Sequence, residues 1–179
     1  MNSQTHQKHL FLTLCLGILM LLSGCQTTPK LNPFEETPNP DFPAEDTKKL
    51  EQTLEKLIYQ QVNQYRLSRN LPPLEFNAVI SQQAKLHSQK MAQGIVPFSH
   101  DGFKQRAKNI ESKILYQSAA ENVAFNQGYQ DPVTIAVQGW LKSDGHRRNI
   151  EGKYNLTGIG VAKNTAGEYY FTQIFILIP

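Results

Sequence analysis

The sequence contains few cysteines and no dense basic segment. Of its 179 residues, only Cys15 and Cys25 carry thiols. The formal net charge is +3, and no basic run is longer than the pairs at 48–49 and 147–148. A nucleic-acid-binding domain needs a denser positive surface, so we set that class of partner aside. The length fits one domain rather than two.

Long apolar runs are also absent, and the longest extends from Leu10 to Leu22. At a rise of about 1.5 Å per residue, this run is too short to span a hydrocarbon core of roughly 30 Å. Its length instead fits the apolar region of a secretory signal, which has ~7–15 residues. The run ends in the sequence LSGC at 22–25, which resembles the lipobox of bacterial lipoproteins.

This resemblance implies that residues 1–24 are a lipoprotein signal peptide, removed just before Cys25. It also implies a diacylglyceryl thioether on Cys25 and acylation of the new amine, which together anchor the chain to a membrane. An ordinary signal peptide with a chance cysteine, or an uncleaved anchor, is the alternative. Because Cys15 is removed with the signal, the mature domain holds no internal disulfide. Gln26, by resemblance to the sorting rule of Gram-negative lipoproteins, favours the outer membrane.

Residues 25–44 have the composition of an extended spacer between the lipid and a domain at 45–179. Apolar residues are few in this segment, and a short ordered arm packed on the domain is the alternative. Its prolines are Pro29, Pro33, Pro38, Pro40 and Pro43.

Two long helices are predicted at the start of the domain. The prolines at 72–73 end the first of them, and Asn77 is a typical N-cap for the second, which runs to about Gln93 before Gly94. The first helix is indicated by apolar residues at helical spacing, namely Leu50, Leu54, Leu57, Ile58, Val62 and Tyr65.

The rest of the domain predicts shorter helices and then strands. Asp101 is expected to cap a short helix through Arg106, and Asp131, followed by proline, starts another. Residues 158–162 and 169–178 pair as a hairpin around a turn at 164–167. The last strand is apolar on both faces, so we expect it to be central and covered on both sides. The predicted fold class is therefore α/β, a three-layer α-β-α sandwich.

Three stretches carry polar residues of the kind found in functional clefts: FSHDGF at 98–103, AENVA at 120–124 and WLKSDGHRRNI at 140–150. Together with GIGV at 158–161 and YFTQ at 170–173, they resemble the CAP superfamily (cysteine-rich secretory, antigen 5 and pathogenesis-related proteins, or SCP-like domains), and its bacterial, disulfide-poor branch in particular. The resemblance covers about residues 50–179. It implies the same α-β-α sandwich, with a cleft lined by two histidines and acidic residues.

The residues that match this cleft are His100, Glu121 and His146. Many eukaryotic members carry a second glutamate where this sequence has Ser143, which weakens a mechanism that needs two carboxylates. Two imidazoles and one carboxylate form a plausible three-ligand site for a divalent metal such as zinc, with an open fourth position. The alternative is a hydrogen-bonded network that holds loops to the sheet. Ser143 as a nucleophile would also need an oxyanion site, so we interpret it as a helix-terminal residue bonded to the loop at 145–146.

Two functions follow from these observations. The first is a membrane-anchored, extracytoplasmic CAP module that binds an envelope ligand, a lipid or a partner without catalysis. The second is a metal-dependent hydrolase that acts on envelope peptide or polymer through His100, Glu121 and His146.

Overall fold

A four-stranded mixed sheet forms the centre of residues 44–179, the part of the chain that the computed structural model describes. Strand β4 is central, and its residues from Phe171 to Ile176 are all buried, which confirms the expectation for the last strand. Strand β1 pairs with β3 in parallel, whereas β4 pairs antiparallel with both β3 and β2. The strands, in the spatial order β1-β3-β4-β2, are β1 Glu75–Phe76, β2 Ser118–Gln127, β3 Leu156–Lys163 and β4 Glu168–Leu177.

Helices cover both faces of this sheet. One face carries a core of side chains from α1, α4 and α5, including Ile58 and Trp140, which packs on Phe171 and Phe175. The other face carries a smaller core from α2 and α3, in which Ile80 packs near Ile174 and Ile176. This arrangement confirms the three-layer sandwich. The helices are α1 Ala44–Ser68, α2 Ala78–Ala92, α3 Phe103–Glu111, α4 Pro132–Lys142 and α5 Asp144–Glu151.

Helix starts with a side-chain cap are where the sequence predicts them. Asn77 Oδ1 accepts from the amides of Val79 and Ile80, and Asp131 Oδ1 accepts from the amide of Thr134 at 3.0 Å. The hairpin of β3 and β4 also agrees with its prediction.

Five local features differ from the sequence predictions. Helix α3 follows Gly102, which has φ +77° and provides no side-chain cap, so Asp101 does not cap it. This helix also runs on past Arg106 to Glu111. Residues 144–151 are a helix rather than a loop, α1 ends at Ser68 before the prolines, and β2 was not expected as a strand.

The predicted signal peptide, Cys25 and nearly all of the predicted spacer lie in residues 1–43, outside the described residues. Within residues 44–179, no helix has both the length and the apolarity needed to cross a membrane.

Candidate functional site

Glu121 lies at the centre of the candidate cleft, on strand β2, with a side chain that is only 1% exposed. A buried carboxylate is stable only when it is paired and hydrogen-bonded. The guanidinium of Arg106 on α3 provides that pairing, with Nε 2.8 Å from Oε2 and Nη2 2.7 Å from Oε1. This bidentate ion pair occupies both carboxylate oxygens and is a strong, directional contact.

Arg106 also holds the loop that precedes α3. Its Nη1 donates to the carbonyl oxygen of Asp101 at 2.8 Å, and its Nη2 lies 3.4 Å from the carbonyl oxygen of His100. The motif resemblance alone does not assign Arg106 to the site. A signal was present, because arginine is rarely buried unless it is paired, and Arg106 lies in an expected short helix directly after the FSHDGF stretch.

His100 reaches the same carboxylate from the loop. Its Nδ1 lies 3.0 Å from Glu121 Oε1, while the ring stays 50% exposed. An ionised carboxylate can only accept, so Nδ1 carries the hydrogen, and in the neutral ring Nε2 is left as an acceptor. Glu121 therefore orients His100 and fixes its tautomer.

His146, on α5, faces His100 across the cleft. The two ring centroids are 6.0 Å apart and the ring planes are tilted by 42°. Burial and, as a smaller effect, repulsion from His100 lower the pKa of His146. Both effects favour the neutral form of the His146 imidazole.

Two asparagines hold α5 against β2 and so set the position of His146. Asn122 Nδ2 donates to the carbonyl oxygen of His146 at 3.1 Å. Asn149 Nδ2 donates to Asn122 Oδ1 at 2.9 Å and to the carbonyl oxygen of Glu121 at 3.2 Å. The AENVA and GHRRN stretches are thus joined through the side chains of Asn122 and Asn149.

His87, on α2, is a buried histidine behind the loop that carries His100. Its Nε2 donates to the carbonyl oxygen of Ser99 at 2.9 Å, which ties α2 to the segment that carries His100. Burial is the main cause that lowers its pKa, and the nearby Arg106 adds to the effect. His87 is thus a buried, hydrogen-bonded histidine of the core.

Ser143 lies at the junction between α4 and α5. Its carbonyl oxygen accepts from the amide of Arg147 at 2.8 Å, and its hydroxyl makes no capping hydrogen bond to α5. The expected contact with a loop at 145–146 is therefore replaced by the first turn of a helix.

The donor set of the cleft does not fit a three-ligand zinc site in this arrangement. Both oxygens of Glu121 are engaged by Arg106, whose positive charge also opposes a cation at that position. Among residues 44–179, no three side chains of His, Cys, Asp or Glu are grouped so that they could hold a metal ion. The groups of the cleft that remain able to bind a metal ion are the Nε2 atom of His100 and the ring of His146.

Two surface grooves lie away from the histidines. One, of about 440 Å³, lies between α1 and β1 and includes Tyr59 and Phe76. The other, of about 470 Å³, lies between α1 and α4 and includes Tyr65 and Leu141. Neither groove is lined by a residue of the histidine cleft.

The chain is similar to proteins of Bacillus subtilis along most of its length. It is 35% identical over 136 residues to an uncharacterized membrane protein, YlbC, covering 74% of this chain and 37% of that protein. It is 33% identical over 125 residues to the uncharacterized protein YkwD, covering 68% of this chain and 46% of that protein. The chain thus spans less than half the length of both relatives.

A solved structure and a family model agree with these relatives. The crystal structure of an extracellular protein containing an SCP domain from Bacillus anthracis matches with a TM-score of 0.62 and 29% identity, covering 80% of this chain and 45% of that one. The model of the cysteine-rich secretory protein family, CAP, matches residues 59–175, a segment that includes all three motif stretches. This chain therefore belongs to the CAP family.

Proposed function

We propose that this chain is an extracytoplasmic CAP-domain lipoprotein that is anchored through acylated Cys25 and binds an envelope ligand without catalysing a reaction. In this proposal, residues 1–24 are removed and residues 25–44 hold the domain away from the bilayer. The ligand meets the domain at the cleft between His100 and His146.

The anchor is supported by the lipobox-like sequence at 22–25 and by the short apolar run before it. The names of the relatives are compatible with a location at or outside a membrane, since one is a membrane protein and another an extracellular protein. Both of those relatives come from Bacillus, which is Gram-positive. The expectation of an outer-membrane location is therefore supported by Gln26 alone.

The observation that supports a binding role is the bidentate ion pair in which Arg106 contacts both carboxylate oxygens of Glu121. A general base must accept a proton from its substrate, and this carboxylate already accepts two hydrogen bonds from a neutralising guanidinium. Glu121 is thus suited to hold His100 in place rather than to act on a ligand. The groups left for a ligand are His100 Nε2 and the ring of His146, which suit a partner with hydroxyl or amide groups.

A metal-dependent hydrolase is the second candidate, and one observation favours it. The rings of His100 and His146 are 6.0 Å apart, and His100 is half exposed, so two imidazoles could approach one cation. Catalysis of that kind also needs Glu121, which would first have to leave Arg106.

Binding is tested by co-sedimentation of the mature chain, carrying Cys25→Ser to remove the anchor, with peptidoglycan and separately with phospholipid vesicles. We expect one of these probes to retain the chain. His100→Ala and His146→Ala should each weaken that retention on the order of tenfold, as truncation of a central contact does. Gln138→Ala, on the exposed face of α4, is the control and should bind like the parent. Retention that does not change in either histidine variant, or no retention by either probe, would contradict the binding role.

Zinc titration of the same chain by calorimetry separates the two candidate functions. We expect binding no tighter than millimolar, with His100→Ala behaving like the parent. Micromolar binding that His100→Ala abolishes would favour the hydrolase instead.

A further inference from the structure

A row of three aromatic rings lies on the sheet beside the histidine cleft. Phe98, in the loop before α3, has its ring centroid 6.1 Å from that of Phe125 on β2. The ring centroid of Phe125 lies in turn 5.1 Å from that of Tyr170 on β4, which is its direct partner in the β2–β4 ladder. The three rings therefore form one continuous surface, which we call the aromatic row.

The aromatic row is open to solvent. Phe98 is 52% exposed, Phe125 is 43% exposed, and Tyr170 is partly exposed. The other phenylalanine of the FSHDGF stretch, Phe103, instead packs on the core between the sheet and the helices α2 and α3. Single exposed apolar residues are common on protein surfaces, whereas a contiguous group of them is typical of a contact site for another molecule.

The aromatic row begins at the cleft. Phe98 is two residues from His100 in the same loop, and His100 is hydrogen-bonded to Glu121 on β2. Glu121 and Phe125 lie on the same face of β2, because side chains alternate along a strand, and a rise of about 3.3 Å per residue separates them by roughly 13 Å. A ligand that lies along β2 can therefore contact the aromatic rings with one part and the imidazoles of His100 and His146 with another.

A carboxylate borders the far end of the aromatic row. The hydroxyl of Tyr170 donates to Glu168 Oε2 at 3.1 Å, and the same oxygen accepts from Asn164 Nδ2. The cation–ring contact in the described part of the chain is Lys163 over Tyr169, and Tyr169 packs on the core at the opposite face of the sheet. A negatively charged partner would be repelled by Glu168, so the charge of this surface favours an uncharged one.

We propose that the aromatic row and the cleft together bind an uncharged polysaccharide chain, a ligand class that rests on the binding function proposed above. Pyranose rings present C–H groups on their faces and hydroxyl groups around their edges. The faces of aromatic rings are electron-rich and attract those C–H groups, while His100 Nε2 and the Tyr170 oxygen accept hydrogen bonds from the hydroxyl groups. An acyl chain would make no hydrogen bond with these acceptors, and an anionic lipid headgroup would meet the carboxylate of Glu168.

The test is a calorimetric titration of the mature Cys25→Ser chain with hexa-N-acetylchitohexaose, an uncharged chain of acetylated amino sugars. We expect the parent to bind, and Phe98→Ala and Phe125→Ala each to weaken binding on the order of tenfold, as truncation of a central contact does. Phe76→Ala is the matched control and should bind like the parent. Phe76 is a phenylalanine of similar exposure, 49%, and it lies on β1 at the opposite edge of the sheet.

Two further substitutions at Phe98 separate ring stacking from the burial of apolar area. Phe98→Tyr keeps an aromatic face and should bind like the parent. Phe98→Leu keeps an apolar side chain without that face and should bind as weakly as Phe98→Ala. Circular dichroism melting checks that each variant folds, and Phe98, which is half exposed in a loop, decides the matter if Phe125→Ala does not fold. Binding by Phe98→Leu that equals the parent would overturn the stacking role.

Comparison with the co-sedimentation experiment distinguishes failure of this proposal from failure of the binding role. If peptidoglycan retains the chain through His100 and His146 but the soluble sugar chain does not bind, or binds Phe98→Ala like the parent, the polysaccharide proposal is overturned and the binding role stands. Retention by phospholipid vesicles that Phe98→Ala abolishes would overturn the proposal in favour of a lipid contact. If none of the three probes binds the parent, both the proposal and the binding role are overturned.

Discussion

At the scale of single residues, Arg106 determines what the Glu121 carboxylate in the cleft can do, because it pairs with both carboxylate oxygens. It neutralises Glu121, holds the backbone of the loop that carries His100, and lies within the electrostatic reach of His87. The motif stretches identify His100, Glu121 and His146 through their family resemblance. They do not identify Arg106, because its pairing with a residue fifteen positions later depends on how α3 packs against β2.

Replacing Arg106 with glutamine leaves the Glu121 carboxylate buried without its cation. Breaking a buried ion pair in this way costs about 3–5 kcal/mol, so we expect the free energy of unfolding to fall by that amount in urea denaturation. Arg147→Gln is the matched control, because Arg147 pairs with the exposed carboxylate of Asp144, and exposed pairs contribute roughly 0–1 kcal/mol. Equal losses in the two variants would show that Arg106 is not essential to the buried site.

At the scale of elements, local sequence signals predict the starts of α2 and α4 but do not predict strand β2. Asn77 and Asp131 carry their own capping atoms, so their helices are visible without tertiary information. Strand β2 has Glu121, Asn122 and Asn126 buried within it, and polar residues at buried positions hide the usual strand pattern. Their burial becomes intelligible only when Arg106, Asn149 and α4 supply their partners.

The contact between α2 and β3 gives an element-scale prediction at Gly160. A Cβ at this position would lie 2.1 Å from the backbone nitrogen of Lys85, and a helix backbone cannot yield as a flexible side chain can. We therefore expect Gly160→Ala to move α2 off the sheet and to lower the melting temperature by well over ten degrees, since overpacking of this kind costs about 3 kcal/mol or more.

Gly139, within α4, is the control for that substitution. A Cβ there has no atom within 4 Å, so Gly139→Ala should raise stability by about 0.5–1 kcal/mol through helix propensity. A Gly160→Ala protein that melts with the parent would contradict the close approach of α2 to β3.

At the scale of the whole molecule, the described domain relies on two hydrophobic cores, one on each face of its sheet. Its candidate cleft is assembled from a loop, a strand and a helix that are separated in sequence. Their order in the chain allowed the resemblance to the CAP family to be recognised. The packing of separate elements sets the distances between His100, Glu121 and His146. The same packing pairs the Glu121 carboxylate with Arg106, and no single stretch of sequence contains this information.

Acylation of Cys25 and display of the domain from a membrane are central to the proposed function. The most direct measurement is the intact mass of the chain extracted from membranes of an expressing bacterium. We expect a chain that begins at Cys25 and is heavier than its amino-acid mass by a diacylglyceryl group and an acyl chain. The Cys25→Ser chain should retain residues 1–24 and gain neither group. A membrane chain with unmodified Cys25, or one cleaved at another position, would contradict the account.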